Sequence, residues 1–221
     1  MTPIEKQHLI EALSYQIGSC ESKSVRQQAV NILVNVDQEM AYIIADNVGV
    51  KRPSGTNVPI STSYPSLSIM NSPYYAYTQK VGVLIGNRFN CKEVTSVLNL
   101  LEQHGVFVVI ISESLGTVTG SDGTKLKVDK TFLTSSPYLL DSLYIVGGKS
   151  KNEAKFNQDI MYYTNIAYQH YKPIGVATSS QSYIQPSEEN NLAGVIFTAN
   201  NPNFGNEFVD AIATQRFWNR T

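Results

Sequence analysis

The stretch Val81-Gly82-Val83-Leu84-Ile85, followed by Gly86-Asn87, decides the fold of this chain. A short run of apolar residues that ends in a turn dipeptide is typical of a strand buried on both faces of a sheet. Similar runs recur at 106–111, 142–146, 173–177 and 194–198. Patterns with helical spacing separate most of these runs. Buried strands that alternate with helices predict a parallel sheet covered by helices on both faces.

The helices of this domain are predicted from apolar residues spaced three and four positions apart. They span about 90–104, 152–168 and 204–218. A hairpin is predicted over 118–126, with its turn at Asp122-Gly123. The doubly wound, flavodoxin-like class of α/β fold therefore fits residues 80–221.

Ligands of a doubly wound sheet bind outside the carboxyl ends of its strands. Three loops are expected at that edge: 86–91, 147–150 and 178–180. The pattern predicts that they surround one pocket.

Residues 1–50 carry helical apolar spacing and form a short all-α segment before the sheet domain. Two of its helices are predicted over 25–34 and 37–47. The buried face of the first of these is predicted to hold Val25, Ala29, Ile32 and Leu33. Helices of this length are unstable alone in water, so another part of the protein must cover their apolar faces.

Residues 51–79 contain four of the nine prolines of the chain, among Ser, Thr, Asn and Tyr. A segment of this length without apolar periodicity is typical of a linker. The predicted organisation is therefore a helical segment over 1–50, an irregular linker over 51–79 and a sheet domain over 80–221.

The composition excludes several classes of function. The formal net charge of −1 gives no basic surface for a nucleic acid, and the sequence has no apolar run long enough for a membrane span. The first residues lack a secretory signal pattern. The two cysteines, Cys20 and Cys91, form no CxxC pair, which favours a reduced, cytoplasmic compartment.

Phosphate and metal motifs are incomplete. Gly147-Gly148-Lys149-Ser150 is similar to the end of a phosphate-binding loop, but the full motif needs glycine where Leu143 stands. The histidines His8, His104 and His170 belong to no cluster with metal-ligand spacing. We expect no nucleotide, no metal and no other cofactor in this chain.

Two places could carry a nucleophile. Cys91 is predicted at a helix N-terminus after the first strand, where backbone N–H groups would stabilise a thiolate. Thr178 and Ser179 follow the strand at 173–177 in a sharp turn of the kind that exposes nucleophiles in hydrolases. Such a hydroxyl needs a base, and the last histidine is His170, before the turn.

Residues 80–221 resemble the class I glutamine amidotransferase-like superfamily, particularly its PfpI type. The similar pieces are the first strand, the turn Ile145-Val146-Gly147-Gly148, and Lys172-Pro173-Ile174 leading to the sharp turn. Active members carry a nucleophilic Cys in that turn, where Thr178 stands here. Their acidic residue after the first strand falls near Asn90, which is not a carboxylate.

A closer resemblance covers nearly the whole chain. The segments 2–9 and 35–40 look like the helical end of the core of large-subunit haem catalases. The hairpin through Asp122-Gly123 and the ending Gln215-Arg216-Phe217-Trp218-Asn219-Arg220 are similar to their flavodoxin-like C-terminal domain. The haem-binding segments of those enzymes do not occur in the sequence.

The resemblance implies a non-catalytic C-terminal region, separate from the haem core that dismutates hydrogen peroxide. It further implies that the region stabilises the catalase tetramer through the core and sister subunits, and that it protects unfolded client proteins as a chaperone-like holdase. The alternative is a residual PfpI-type hydrolase or deglycase that uses Cys91 or Thr178.

Overall fold

The computed structural model describes residues 3–55, 64, 66, 73–184 and 192–220. The chain divides into two compact units, Met1–Ser72 and Pro73–Thr221. Much of the predicted linker at 51–79 lies outside the described residues, so the linker stays a prediction.

The N-terminal unit consists of three helices: α1 (Pro3–Gly18), α2 (Lys23–Leu33) and α3 (Gln38–Asn47). Helix α3 begins at Asp37, whose carboxylate accepts a hydrogen bond of 2.9 Å from the amide of Met40 and so caps the helix. Lys6 lies 3.0 Å from the Asp37 carboxylate, which ties α1 to the start of α3. The three helices enclose a small core of Ile10, Val30, Met40, Ile44, Ala45 and Val48.

The predicted buried face of α2 is wrong. Val25 and Ile32 are 49% and 66% exposed, whereas Val30 is completely buried. An eleven-residue helix completes only three turns, so several apolar stripes fit its sequence about equally well. Packing against α1 and α3 decides which stripe is buried, and it is the one that contains Val30.

The C-terminal unit alternates strands and helices as predicted. Its elements, in chain order, are β1 (Lys80–Ile85), α4 (Cys91–Gln103), β2 (Phe107–Ser112), β3 (Gly116–Thr119), β4 (Lys125–Val128), β5 (Lys130–Thr131), β6 (Ser142–Gly147), α5 (Glu153–Gln169), β7 (Ile174–Val176), β8 (Val195–Phe197) and α6 (Phe204–Thr214). Six strands form one sheet in the order β5-β2-β1-β6-β7-β8, and every neighbouring pair is parallel. Without the two-residue edge strand β5, this is the flavodoxin order, which confirms the predicted fold class.

The period-two alternation of the central strand explains why both faces of the sheet are covered. Val81, Val83 and Ile85 face α4 and α6, while Leu84 faces α5. Each face therefore has its own buried cluster, and the polar surfaces of the helices remain outside. Strands β3 and β4 form the predicted antiparallel hairpin, which turns through 120–124.

The predicted end of the last helix is wrong. Helix α6 stops at Thr214, four residues before Trp218, because Gln215 takes a φ of 64° in the left-handed region. The chain then turns back, and Arg220 becomes buried. Its guanidinium donates hydrogen bonds to the carbonyl oxygens of Ala193 (2.8 Å), Tyr168 (3.2 Å) and Lys172 (3.1 Å). These hydrogen bonds of Arg220 hold the loops beside α5 and β7 together.

Lys172 is also buried at this edge of the sheet. Its ammonium donates hydrogen bonds to the carbonyl oxygens of Pro137 (2.8 Å), Tyr138 (3.3 Å) and Leu140 (2.6 Å). These carbonyls belong to a short 3-10 turn and its capping residue Leu140, which precede β6. Lys172 therefore holds the segment before β6 against the start of β7.

Candidate functional site

A cleft of about 390 Å³ lies at the carboxyl ends of β7 and β8, between α4 and the first turn of α6. Its position follows from the doubly wound topology, since the helices that cover a parallel sheet start at this edge. The lining residues are Glu93, Ser96, Val97, Leu100, Thr178, Thr198, Asn201, Pro202, Asn203, Phe204, Gly205 and Asn206.

Of the three loops that were predicted to surround one pocket, this cleft includes only Thr178. The loops after β1 and β6 bond to each other instead. Asn87 donates to the carbonyl of Lys149 (2.7 Å), and Lys149 donates back to the carbonyl of Asn87 (2.6 Å). Gly148 permits this approach: its φ is 120°, and a Cβ there would lie 2.7 Å from the Asn87 carbonyl oxygen.

Glu93 is the candidate site residue that the sequence analysis did not identify. It lies in the first turn of α4, which Asn90 caps by accepting a hydrogen bond of 3.2 Å from the amide of Glu93. Its Oε1 atom accepts a hydrogen bond of 3.1 Å from the amide of Thr178 and a short one from the Thr198 hydroxyl. A carboxylate therefore does lie beside the sharp turn at Thr178. It belongs to Glu93, three residues after Asn90, the position at which the sequence analysis found no carboxylate.

The hydroxyls of Thr178 and Thr198 are 2.9 Å apart. Because the Thr198 proton is directed to Glu93, the Thr178 hydroxyl donates its own proton to Thr198. The three side chains form a relay that ends on a carboxylate. Such a relay fixes the orientation of the Thr178 hydroxyl. The Glu93 carboxylate is then the acceptor to which its proton could move through Thr198.

The turn itself differs from a nucleophile elbow. Thr178 begins a short 3-10 helix, and it is not among the described non-glycine residues with positive φ. The backbone strain that projects a nucleophile is therefore missing at this described residue. Ser179 points back to the sheet, where its hydroxyl donates to the Val146 carbonyl at 3.3 Å.

The two histidines of the C-terminal unit lie away from the turn. His104 and His170 follow the last residues of α4 and α5. In a doubly wound fold these helices end at the opposite edge of the sheet from Thr178. Neither imidazole is placed to act as a base for that hydroxyl.

Cys91 lies at the start of α4, as predicted, but the residue is only 6% exposed. The thiol donates a hydrogen bond of 2.6 Å to the Asp122 carboxylate in the hairpin turn. That bond, together with hydrogen bonds from Thr124, lowers the pKa of Asp122 to about 2. Gly120 covers the sulfur so closely that a Cβ there would overlap it. The reactive thiol at Cys91 stays a prediction.

The cleft does not fit a haem group. Haem iron is held by His, Cys, Met or Tyr side chains, and none of these lines the cleft. Within the described residues, no cluster of three or more His, Cys, Asp or Glu could hold a metal ion. The same part of the chain contains no helix that is long and apolar enough to cross a membrane.

Comparison with known proteins places the chain in a family. Residues 77–221 match the C-terminal domain found in long catalases, and residues 1–48 match the family described as catalase-related immune-responsive. The whole chain is 39% identical to Catalase-2 of Bacillus subtilis and 36% identical to a catalase of Alkalihalophilus pseudofirmus. It is also 27% identical to Catalase-B of Dictyostelium discoideum. The chain spans about a third of the length of these relatives (32%, 32% and 33%). The chain belongs to the family of long catalases, and its sheet unit is their C-terminal domain.

Proposed function

We propose that the chain is a non-catalytic C-terminal region of a large-subunit catalase, whose haem-containing core dismutates hydrogen peroxide. The observation that carries this proposal is the match of the two segments, 1–48 and 77–221, to catalase families in that order. The cleft supports it, because its relay lacks a strained nucleophile and an imidazole base. Haem belongs in this proposal to the core of the longer protein.

The proposed role of the region is to stabilise a catalase homotetramer. Supporting it, the helical unit leaves large apolar side chains in solvent: Tyr15, Val25, Ile32, Val36 and Ile43. Its own core is small, and three short helices rarely remain folded without further burial. The catalase core and the sister subunits are the partners that would cover these side chains.

A chaperone-like holdase activity is the second part of the proposal. The segment between β5 and β6 exposes Leu133 and Leu139, which are 83% and 73% accessible, together with Tyr138. Exposed apolar groups on a loop can bind unfolded chains without a fixed geometry. Suppression of the thermal aggregation of an unrelated client at near-stoichiometric amounts would support it, and Leu133→Ser with Leu139→Ser should reduce the effect.

The stabilising role is tested in a relative. The matching C-terminal third of Bacillus subtilis Catalase-2 is exchanged for this chain, and a second chimaera stops at Ser72. We expect the first chimaera to sediment as a tetramer across a wider range of temperature than the second. Identical sedimentation of the two chimaeras would remove the proposed role of the sheet unit.

The alternative function is a residual PfpI-type hydrolase or deglycase at Thr178. The observation that favours it is the Glu93 carboxylate, which ends the hydroxyl relay from Thr178. Assays with small aldehydes and peptides test it. Activity that disappears in Thr178→Ala but persists in Cys91→Ala would establish Thr178 as the nucleophile, and activity unchanged in both variants would exclude these two residues.

A cytoplasmic location is also part of the proposal. Both cysteines of the chain are free: Cys20 is partly exposed, and Cys91 is buried. Free thiols persist most readily in a reducing compartment. Fractionation of cells that produce the complete protein tests the location. We expect the protein in the cytoplasmic fraction, and recovery in another compartment would contradict the proposal.

A further inference from the structure

We propose that the cleft between α4 and α6 binds the primary ammonium group of a small ligand with a short aliphatic tail. The proposal goes beyond the catalase assignment and does not depend on it. The ammonium would bind the free carboxylate oxygen of Glu93, and the tail would lie against the apolar wall of the cleft.

The charge of the cleft selects a cation. Glu93 is the one charged residue among those that line it. The ion pairs found within the described residues do not include Glu93, so no cation of that part of the chain neutralises it. A carboxylate in a cleft would repel an anionic ligand and would attract an ammonium.

The orientation of Glu93 is fixed before any ligand arrives. Its Oε1 atom takes both hydrogen bonds, from the Thr178 amide and the Thr198 hydroxyl. The second oxygen, Oε2, accepts no hydrogen bond from the described residues and is free to receive three-donor groups such as an ammonium. A carboxylate held in one rotamer loses little conformational entropy on binding, which favours a specific site.

Phe204, which lines the cleft, packs on its other side against a buried tyrosine. Tyr144 is completely buried, and its hydroxyl has no hydrogen-bond partner among the described residues. Its ring lies 5.7 Å from that of Phe204, which lines the cleft, and burial and the negative charge of Glu93 both raise the pKa of the phenol. Tyr144 does not line the cleft, so the wall at Phe204 separates this hydroxyl from a ligand bound at Glu93.

The remaining wall suits an aliphatic tail. Val97, Leu100, Pro202 and Phe204 contribute apolar surface to the same cleft. Its volume of about 390 Å³ is within the range of small-molecule sites. Butylammonium combines one ammonium with such a tail and is therefore a suitable probe.

The test is a titration of the complete 221-residue chain, labelled with ¹⁵N, with butylammonium chloride. We expect saturable shifts of the Thr178 and Thr198 amide signals with a dissociation constant on the order of 1 mM. Butyrate and butanol, which have the same tail without the cation, should give no saturable shifts. Glu93→Gln should weaken binding at least about tenfold, since a charge-assisted hydrogen bond is lost. Glu102→Gln changes the same charge on an exposed part of α4 and should leave binding unchanged.

A second variant keeps the proposal testable if Glu93→Gln does not fold. Ser96 is exposed on α4, lines the cleft and stands one turn from Glu93. Ser96→Lys would supply an internal ammonium to Glu93 and should abolish butylammonium binding without disturbing the core. Absence of saturable shifts in the unmodified chain would overturn the proposal. Equal binding of butanol, or unchanged binding in both cleft variants, would overturn it as well.

Discussion

The carboxylate of Glu93 accepts a hydrogen bond from the backbone amide of Thr178, 85 positions later in the sequence. This contact joins the first turn of α4 to the turn that follows β7. It places the one charged side chain among the lining residues of the cleft beside Thr178. The same carboxylate oxygen also accepts the Thr198 hydroxyl, where the hydroxyl relay ends.

Thr198→Val tests the relay. The substitution keeps the β-branched shape but removes the hydroxyl that donates to Glu93 and accepts from Thr178. We expect the free energy of unfolding to fall by about 1 kcal/mol, the usual net value of such a hydrogen bond. Urea denaturation measures the change. Thr95→Val, at an exposed position of α4, is the matched control and should have a much smaller effect.

Lys172→Met tests the contact between the 3-10 turn and β7. The variant keeps the aliphatic stem but removes the ammonium that donates to three carbonyl oxygens. We expect a loss of about 1–3 kcal/mol in the free energy of unfolding. Lys92→Met, at an exposed position, provides the control. A Lys172→Met variant as stable as the control would show that the carbonyls are satisfied in another way.

The pH dependence of stability tests the same lysine. Burial, with the positive charge of Arg216, lowers the pKa of Lys172 from 10.5 to about 8, and Asp141 opposes this shift. The unfolded chain therefore binds more protons than the folded chain between pH 8 and 10.5, so the stability that Lys172 contributes increases as the pH rises through this range. The difference in unfolding free energy between the unmodified chain and Lys172→Met should grow accordingly. A constant difference would mean that the three carbonyls keep the ammonium charged.

Arg220→Lys tests the hydrogen bonds between the Arg220 guanidinium and the loops beside α5 and β7. A lysine cannot replace a planar guanidinium that donates to three separate carbonyls and lies 4.7 Å from the centre of the Tyr168 ring. We expect destabilisation by roughly 1–3 kcal/mol, measured by urea denaturation. Arg88→Lys, at an exposed residue, should have little effect.

Thiol reactivity distinguishes the two cysteines. The Cys91 thiol is buried and bonded to a carboxylate, whereas Cys20 is partly exposed. We expect Cys20 to react with a disulfide reagent at least about tenfold faster than Cys91, because reactivity follows access and thiolate character. Single Cys→Ser variants assign the two rates. A faster reaction at Cys91 would instead support the predicted reactive thiol.

The strands could be predicted from the sequence because each central strand is an uninterrupted apolar run. Val81–Ile85 is buried on both faces, and the alternation with helices then specifies a parallel sheet. The end of α6 could not be predicted, because Gln215 adopts a left-handed conformation that usually signals glycine. The face of α2 depends on contacts with the other helices, and so its own periodicity left Val30 unrecognised.

The cleft could be predicted only in part for a similar reason. The turn at Thr178 is visible in the sequence as a strand end. The sequence gives only a weak indication that Glu93 belongs to a site. A glutamate in the first turn of a helix is common, because the helix dipole favours it there. Its role depends on Thr178 and Thr198, which the fold brings to it from 85 and 105 positions away.

The temperature at which catalase activity is half lost tests the central proposal most directly. It is measured for the Catalase-2 chimaera that carries this chain and for the chimaera that stops at Ser72. If the sheet unit stabilises the tetramer, the half-inactivation temperature should be several degrees higher with the complete chain, as roughly 1–3 kcal/mol of added stability would produce. Equal half-inactivation temperatures in the two chimaeras would contradict the proposal.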